Sequence, residues 1–436
     1  MSFRGFKGKD PIQDNEFHKN ENAIIITFLL STFLVGVTGA LQIPVLSTFL
    51  KEHVNLPSIQ PFFIKESEKT PSFWIGAFFF TNALVGMMIG QFIGVLSDKA
   101  GDRKRLIAYG CIFGVMQCAL FAFSRNYWLL LILGIFLSSV AGIVHAQLFA
   151  MAREFTMQRG KTSDLFMSTM RAGISLAWVL GPPIAFFMIV HYDFTALYLF
   201  SAISLLLSFC LILAYLPKIK VLAVRKRTVS NESKPKSKLN LTVLLLMLSC
   251  TFLFAANGMY IITMPLYIVE TLKLPESLPG LMMGVVAGIE IPFIILTGFF
   301  ANKVPKKYIL IAGACCALLF YLTMSQASST WVLLSAQIFN AMFIGLLASI
   351  GIIYFQELMP NQAGNATTLF MNSGRLGSLL SGMGFAIVVQ LWGYIGIFYF
   401  AGSLAIIALI CLSFIKSRSN SEKNELEDEN NVKGLS

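Results

Sequence analysis

Charge is scarce in this chain: Asp, Glu, Lys and Arg make up 13% of 436 residues, against 56% hydrophobic ones. A single water-soluble core stops growing well before it could bury that much apolar surface. Histidine occurs only four times, and no HExxH string, Ser-His site or paired intramembrane aspartates can be found. The residue sets of a membrane-embedded protease are therefore missing, and the chain reads as a non-enzyme without cofactor or metal. The seven cysteines (Cys111, Cys118, Cys210, Cys250, Cys315, Cys316 and Cys411) all fall in apolar stretches without CxxC spacing. Apolar packing is expected of them, not disulfides or metal ligation.

Long apolar runs are what the chain has in abundance. Stretches 22–50, 72–97, 106–124, 126–152, 194–217 and 239–269 each reach the roughly 20 residues that cross a bilayer. Stretch 164–192 qualifies apart from Asp164, Arg171 and His191, and 277–302 apart from Glu290. The run 308–356 splits at Gln326–Thr330, and 358–415, which contains Arg375, splits at Trp392–Tyr394. The reading is an all-α membrane protein with twelve transmembrane helices in two pseudo-symmetric six-helix bundles. The first apolar run is too long for a cleavable signal peptide and follows a polar start, so it reads as helix 1.

Basic residues sort the two membrane faces. The termini and the loops after even-numbered helices hold 26 Lys and Arg, the opposite loops 5. The positive-inside rule makes the first set cytoplasmic, with both termini inside. The net charge of +11 then reflects topology and attraction to anionic membrane lipid, not nucleic-acid binding. The expected organisation is a cytoplasmic segment 1–21, a bundle 22–217, a basic linker 218–238, a second bundle 239–416 and a disordered tail 417–436.

The halves repeat. Gly94, Asp98, Gly101, Arg103, Lys104 and Arg105 form a turn after the second span, and about 204 positions later Gly298, Asn302, Lys303, Lys306 and Lys307 form a worn copy lacking the acid. Gly76 matches Gly280 and Arg171 matches Arg375 at that spacing. The first and seventh helices match at 219, because loop 51–71 is about 15 residues longer than its counterpart. Parallel six-helix repeats are the build of a rocking carrier.

The turn's glycines permit close backbone approach, its acid can serve a basic partner, and its cations fasten it to the cytoplasmic face. With Arg153, Glu154 and Glu357 at the cytoplasmic ends of helices 4 and 10, it is a candidate cytoplasmic gate. In that gate Arg153 would pair Asp98, and Glu154 or Glu357 would serve the opposite half. Simple interfacial anchoring accounts for the same charges.

Glu290, Arg171 and Arg375 lie inside spans. Glu290 stands about 11 residues, or about 17 Å, into its helix. Charges there cost at least about 2.5–3.5 kcal/mol, so they face a cavity or one another. A Glu-Arg site loads and releases a proton as its surroundings alternate, which makes these three the proton-coupling candidates. A static pair locking helices is the alternative. Pro292 beside Glu290, and Gly181, Pro182 and Pro183, are expected to kink their helices.

Gln42, Asn82, Gln147, Trp178, Asn257, Tyr260, Asn340 and Asn372 are the substrate-binding candidates. Amides donate to and accept from hydroxyls, and aromatic faces stack on sugar C–H surfaces. Each one singly also suits helix–helix hydrogen bonding. His145 reads as a packing residue.

The Gly94–Arg105 turn resembles the signature loop of the major facilitator superfamily, along the whole chain. Further strings resemble its bacterial sugar efflux transporters: Gly39–Pro44, Gln147–Glu154, Met170–Pro183, Met259–Ile262, Gly288–Pro292, Phe339–Ala341 and Ala366–Phe370. The resemblance implies efflux of small sugars or glycosides from the cytoplasm by proton antiport, through a monomer in the bacterial inner membrane. Thr263 stands where those exporters are expected to carry an acid. A multidrug–proton antiporter and a solute–proton symporter of the same fold remain as alternatives.

Overall fold

The structure, a computed structural model, describes residues 21–58, 70–100, 102–158, 164–217, 241–300, 303–359 and 362–415; side chains at 70, 94–100, 158, 164, 165, 299 and 363 stand outside that description. The linker 218–238, the tail from 417, residues 1–20 and most of loop 51–71 thus lie outside the described residues.

Apolar side chains on nearly every position leave the backbone no water to bond with. Each segment therefore closes its hydrogen bonds on itself as a helix. The order is α1 (Glu21–Gln42), a short α2 (Leu46–Glu52), α3 (Thr70–Ala100) and α4 (Arg103–Phe123). Then come α5 (Tyr127–Met157), α6 (Asp164–His191), α7 (Phe194–Tyr215), α8 (Leu241–Leu266), α9 (Leu278–Phe300), α10 (Lys306–Gln326), α11 (Thr330–Leu358) and α12 (Ala363–Phe414). Among the described residues there is no strand, and eleven helices are long and apolar enough to cross a membrane. A straight helix of 52 residues would run about 78 Å, far beyond a bilayer. α12 is broken at Gly393, whose φ of 69° and ψ of −173° suit only glycine. α9 continues helically through Pro292, and α6 through Pro182 and Pro183.

Packing divides the chain into two compact units, Met1–Glu232 with Ile262–Gly288 and Ser233–Ile261 with Ile289–Ser436. In the first, α1 packs on α6 and α7, and α7 on α4. Phe28, Cys111, Cys118, Met151, Phe155, Met170 and Leu205 fill the space among α1, α4, α5, α6 and α7. Gly280 and Gly284 of α9 bring this helix onto the proline pair of α6. A Cβ on Gly280 would stand 2.7 Å from the Pro182 carbonyl oxygen, and one on Gly284 would stand 2.7 Å from Pro183 Cγ. Nearby, Lys51 of α2 forms an ion pair with Glu270, in the π turn Tyr267–Thr271 that continues α8. In the second unit α10 packs on α11 and α12.

The same contacts recur in both units, at the spacings seen in the sequence. Gly181 meets Ala40 and Gly384 meets Met259; Gly110 meets Ile143 and Gly313 meets Leu346. Lys104 Nζ donates to the Leu213 and Leu216 carbonyls at the end of α7, at 2.9 and 2.5 Å. Lys307 Nζ donates to the Ser413 and Ile415 carbonyls at the end of α12, at 3.0 and 2.5 Å. A cation on the open carbonyls of a helix C-terminus is worth about 0.3–1 kcal/mol. Finding it twice, 203 positions apart, marks a structural repeat.

Candidate transport site

Glu290 lies on α9, about 18 Å along the axis from Leu278. Its stem fits against Gly345 of α11, where an added Cβ would stand 3.4 Å from Glu290 Cγ. A larger residue at 345 would push the acid away. Pro292 has no N–H, so the Gly288 carbonyl, half a turn before the acid, loses its intrahelical donor. No hydrogen bond or ion pair to Glu290 occurs among the described residues, and none joins it to Arg375 of the same unit. Arg171 on α6 and Arg375 on α12 are both exposed and have no ion-pair partner among the described residues. Unpaired cations at such depth are stable only beside water or a polar ligand.

In the first unit, three of the candidates take part in polar contacts. Gln42 on α1 donates through Nε2 to Cys118 Sγ at 3.1 Å and accepts from Gln117 Nε2 at 3.2 Å. Asn82 on α3 accepts from Ser138 Oγ at 3.3 Å. Arg103 at the start of α4 donates to Glu154 Oε1 at 2.9 Å and to Gln147 Oε1 at 2.8 Å, both on α5. Trp178 of α6 is half-buried.

In the second unit a polar cluster joins α8 and α11. The Tyr260 hydroxyl donates to Gln337 Oε1 at 3.2 Å, and Asn340 Nδ2 donates to the same oxygen at 3.2 Å. The Tyr260 ring stands edge-on to Phe320, 5.0 Å between centroids. Asn257 is one turn before Tyr260, and Asn372 is half-buried on α12.

Of the gate candidates, Gly101 lies outside the described residues, as do the side chains of Gly94 and Asp98. Arg153 is exposed. Lys104 caps α7, as above, and Arg105 is paired with Asp102 at 3.1 Å. The two acids expected to serve the opposite half each sit on a cation of their own unit: Glu154 on Arg103, and Glu357 on Lys306 at 3.0 Å. These two pairs are themselves 203 positions apart. Sequence reasoning missed Gln117, Gln337 and Lys306 as partners. Gln337 was findable, since it lies three residues before Asn340 on one helical face.

A family model described as Major Facilitator Superfamily matches residues 28–382 and 246–434. The chain is 40% identical over 385 residues to sugar efflux transporter A of Dickeya chrysanthemi, covering 88% of this chain and 94% of that one. It is 39% identical to sugar efflux transporter B of Salmonella typhimurium, covering 89% and 95%, and 38% identical to sugar efflux transporter C of Escherichia coli, covering 89% and 95%. The chain belongs to the major facilitator superfamily, in its sugar efflux transporter family. Among solved structures, a nucleoside transporter superposes with a TM-score of 0.75 at 14% identity, covering 91% of this chain and 100% of that one. A D-xylose–proton symporter gives 0.70 at 16%, covering 91% and 98%. Membership of this superfamily makes the chain a multi-pass membrane transporter and not an enzyme.

Proposed function

We propose that this transporter exports small sugars or glycosides from the bacterial cytoplasm by proton antiport, with alternating access of a site reached through twelve spans in two six-helix bundles. The observation that carries the reading is the 38–40% identity, over nearly the full length of each relative, to three proteins named sugar efflux transporters. The contacts repeated at a spacing of 203 support the two-bundle build, and the break at Gly393 supports a twelfth span. The predominance of basic residues on one set of loops supports cytoplasmic termini and an inner-membrane location.

Glu290 carries the coupling proton in this reading. It is a mid-span carboxylate with no fixed cation among the described residues, so a proton is the ligand that neutralises it on each cycle. Arg171 and Arg375 tune that step or touch the sugar. Gln42, Asn82, Gln147, Trp178, Asn257, Tyr260, Asn340 and Asn372 supply hydroxyl-binding groups and a stacking face. The turn Gly94–Arg105, with Arg153, Glu154 and Glu357, forms the cytoplasmic gate.

Proteoliposomes with an imposed pH gradient and a panel of radiolabelled sugars test the proposal. Sugar movement driven by the gradient is expected in the wild type, and in Glu290→Gln only unlinked exchange down a sugar gradient. Gradient-driven sugar transport by a well-expressed Glu290→Gln protein would refute the role of Glu290. Export of dyes with no response to any sugar would favour the multidrug alternative.

A further inference from the structure

The hydrogen bonds between α8 and α11 have a fixed polarity. Gln337, which is fully buried, donates through Nε2 to the Leu333 carbonyl at 2.8 Å. A backbone carbonyl only accepts, so this bond decides which end of the amide is nitrogen. Gln337 Oε1 must then face Tyr260 and Asn340, and it accepts from both at 3.2 Å. An oxygen there forces Asn340 to present its Nδ2, which turns Asn340 Oδ1 away from the cluster. That Oδ1 is buried with no hydrogen-bond partner among the described residues, in a residue 1% exposed. On α8, one turn before Tyr260, Asn257 Oδ1 is buried and without a partner in the same way. A buried acceptor left without a donor is costly, since it has given up its water and gained nothing in return. Gln337 Nε2 is thus held by Leu333 and the Tyr260 hydroxyl by Gln337, and two amide oxygens remain without a donor among the described residues.

We propose that Gln337 is a positioning residue that sets Asn340 acceptor-outward, so that Asn340 and Asn257 recognise the cargo by taking the protons of its hydroxyl groups. This rests on the sugar-export reading and sharpens it. The site selects hydroxyl donors, and a cargo bearing only acceptors or apolar groups leaves both oxygens unmatched. A buried polar group without its partner is what gives hydrogen-bonding sites their discrimination.

The test uses the full chain in proteoliposomes. The probes are methyl glucosides and galactosides with each hydroxyl in turn replaced by hydrogen, by fluorine or by a methoxy group. For the best-transported parent, replacing at least one hydroxyl should raise KM tenfold or more. Fluorine at that position, an acceptor that cannot donate, should do no better than hydrogen. In Gln337→Leu the parent's KM should rise about tenfold with Vmax held within twofold, and discrimination at that position should shrink to below threefold. Gln337→Glu keeps the accepting oxygen and should restore most of both. Fluorine rescuing transport would overturn the proposal, as would wild-type discrimination surviving in Gln337→Leu. The wild-type analogue series decides the polarity even where a variant folds poorly. Failure of the wild type to move any sugar would overturn the export reading together with this one, whereas sugar transport blind to every hydroxyl would overturn this one alone.

Discussion

Replacing Arg103 by alanine should destabilise the protein far more than replacing its repeat partner Lys306, although each holds one acid at the same place in its unit. The Arg103 and Glu154 side chains are 10% and 14% exposed, and the guanidinium reaches Gln147 as well. Glu154 Oε2 is already buried without a hydrogen-bond partner among the described residues. Removing the arginine leaves a carboxylate with no charge to answer it, a situation that typically costs about 3–5 kcal/mol. In the other pair Glu357 is 31% exposed, so water takes over much of the lysine's role and the loss is ~1 kcal/mol or less. At ~2.1 cal/mol/K per residue, a chain this long loses roughly 1 °C of Tm per kcal/mol. The expectation is therefore a fall of about 3–5 °C for Arg103→Ala and about 1 °C for Lys306→Ala, read by thermal-shift unfolding in detergent. Adding Glu154→Ala to Arg103→Ala should recover part of the loss, because the unanswered charge goes with it. Arg103→Lys should fall between, since an ammonium lacks the fork that serves two oxygens. An Arg103→Ala protein melting within 1 °C of wild type, or a double variant no better than the single, would refute the reasoning.

Two further outcomes follow from close contacts and from charge. Gly181→Ala would place a Cβ 2.4 Å from Ala40 Cβ and 3.0 Å from its carbonyl carbon. These are parts of α1 that cannot swing aside, so an overpacking loss of ~1–3 kcal/mol is expected. At the matching position, Gly384→Ala meets the flexible tip of Met259; the smaller Tm drop should be the Gly384 one, and equal drops would contradict the argument. Burial raises the Glu52 carboxyl above its usual range, with help from Glu276 and Glu270 and against the pull of Lys51. The folded protein thus prefers Glu52 protonated, and the stability this gives is complete below about pH 4.5 and lost as pH rises through the raised value. Glu52→Gln should melt slightly higher than wild type at pH 7 and equally at pH 4; the gain at pH 7 is less than about 1 kcal/mol because much of the side chain still meets water. The reverse order at pH 7 would count against it.

Much of the fold could be read from composition and order alone. Apolar run length is a local property, and in lipid it leaves the backbone only the helix. Each run therefore gave a helix, including the divisions at Gln326–Thr330 and at Gly393. The basic cluster after the second span and its worn copy pointed to a repeat before any contact was known. The mid-span position of Glu290 was equally a matter of counting residues.

Partnership belonged to the tertiary structure. Nothing in the sequence tells Glu154 to choose Arg103 on α4, or shows that Lys104 and Lys307 close the ends of helices more than 100 positions away. The same holds for Gln337, an ordinary glutamine in an apolar run until Leu333, Tyr260 and Asn340 surround it. Helix formation is decided within a few residues of each position. Which polar atoms are answered is decided by the three-dimensional neighbours that packing brings within about 3 Å, and a linear pattern does not contain them.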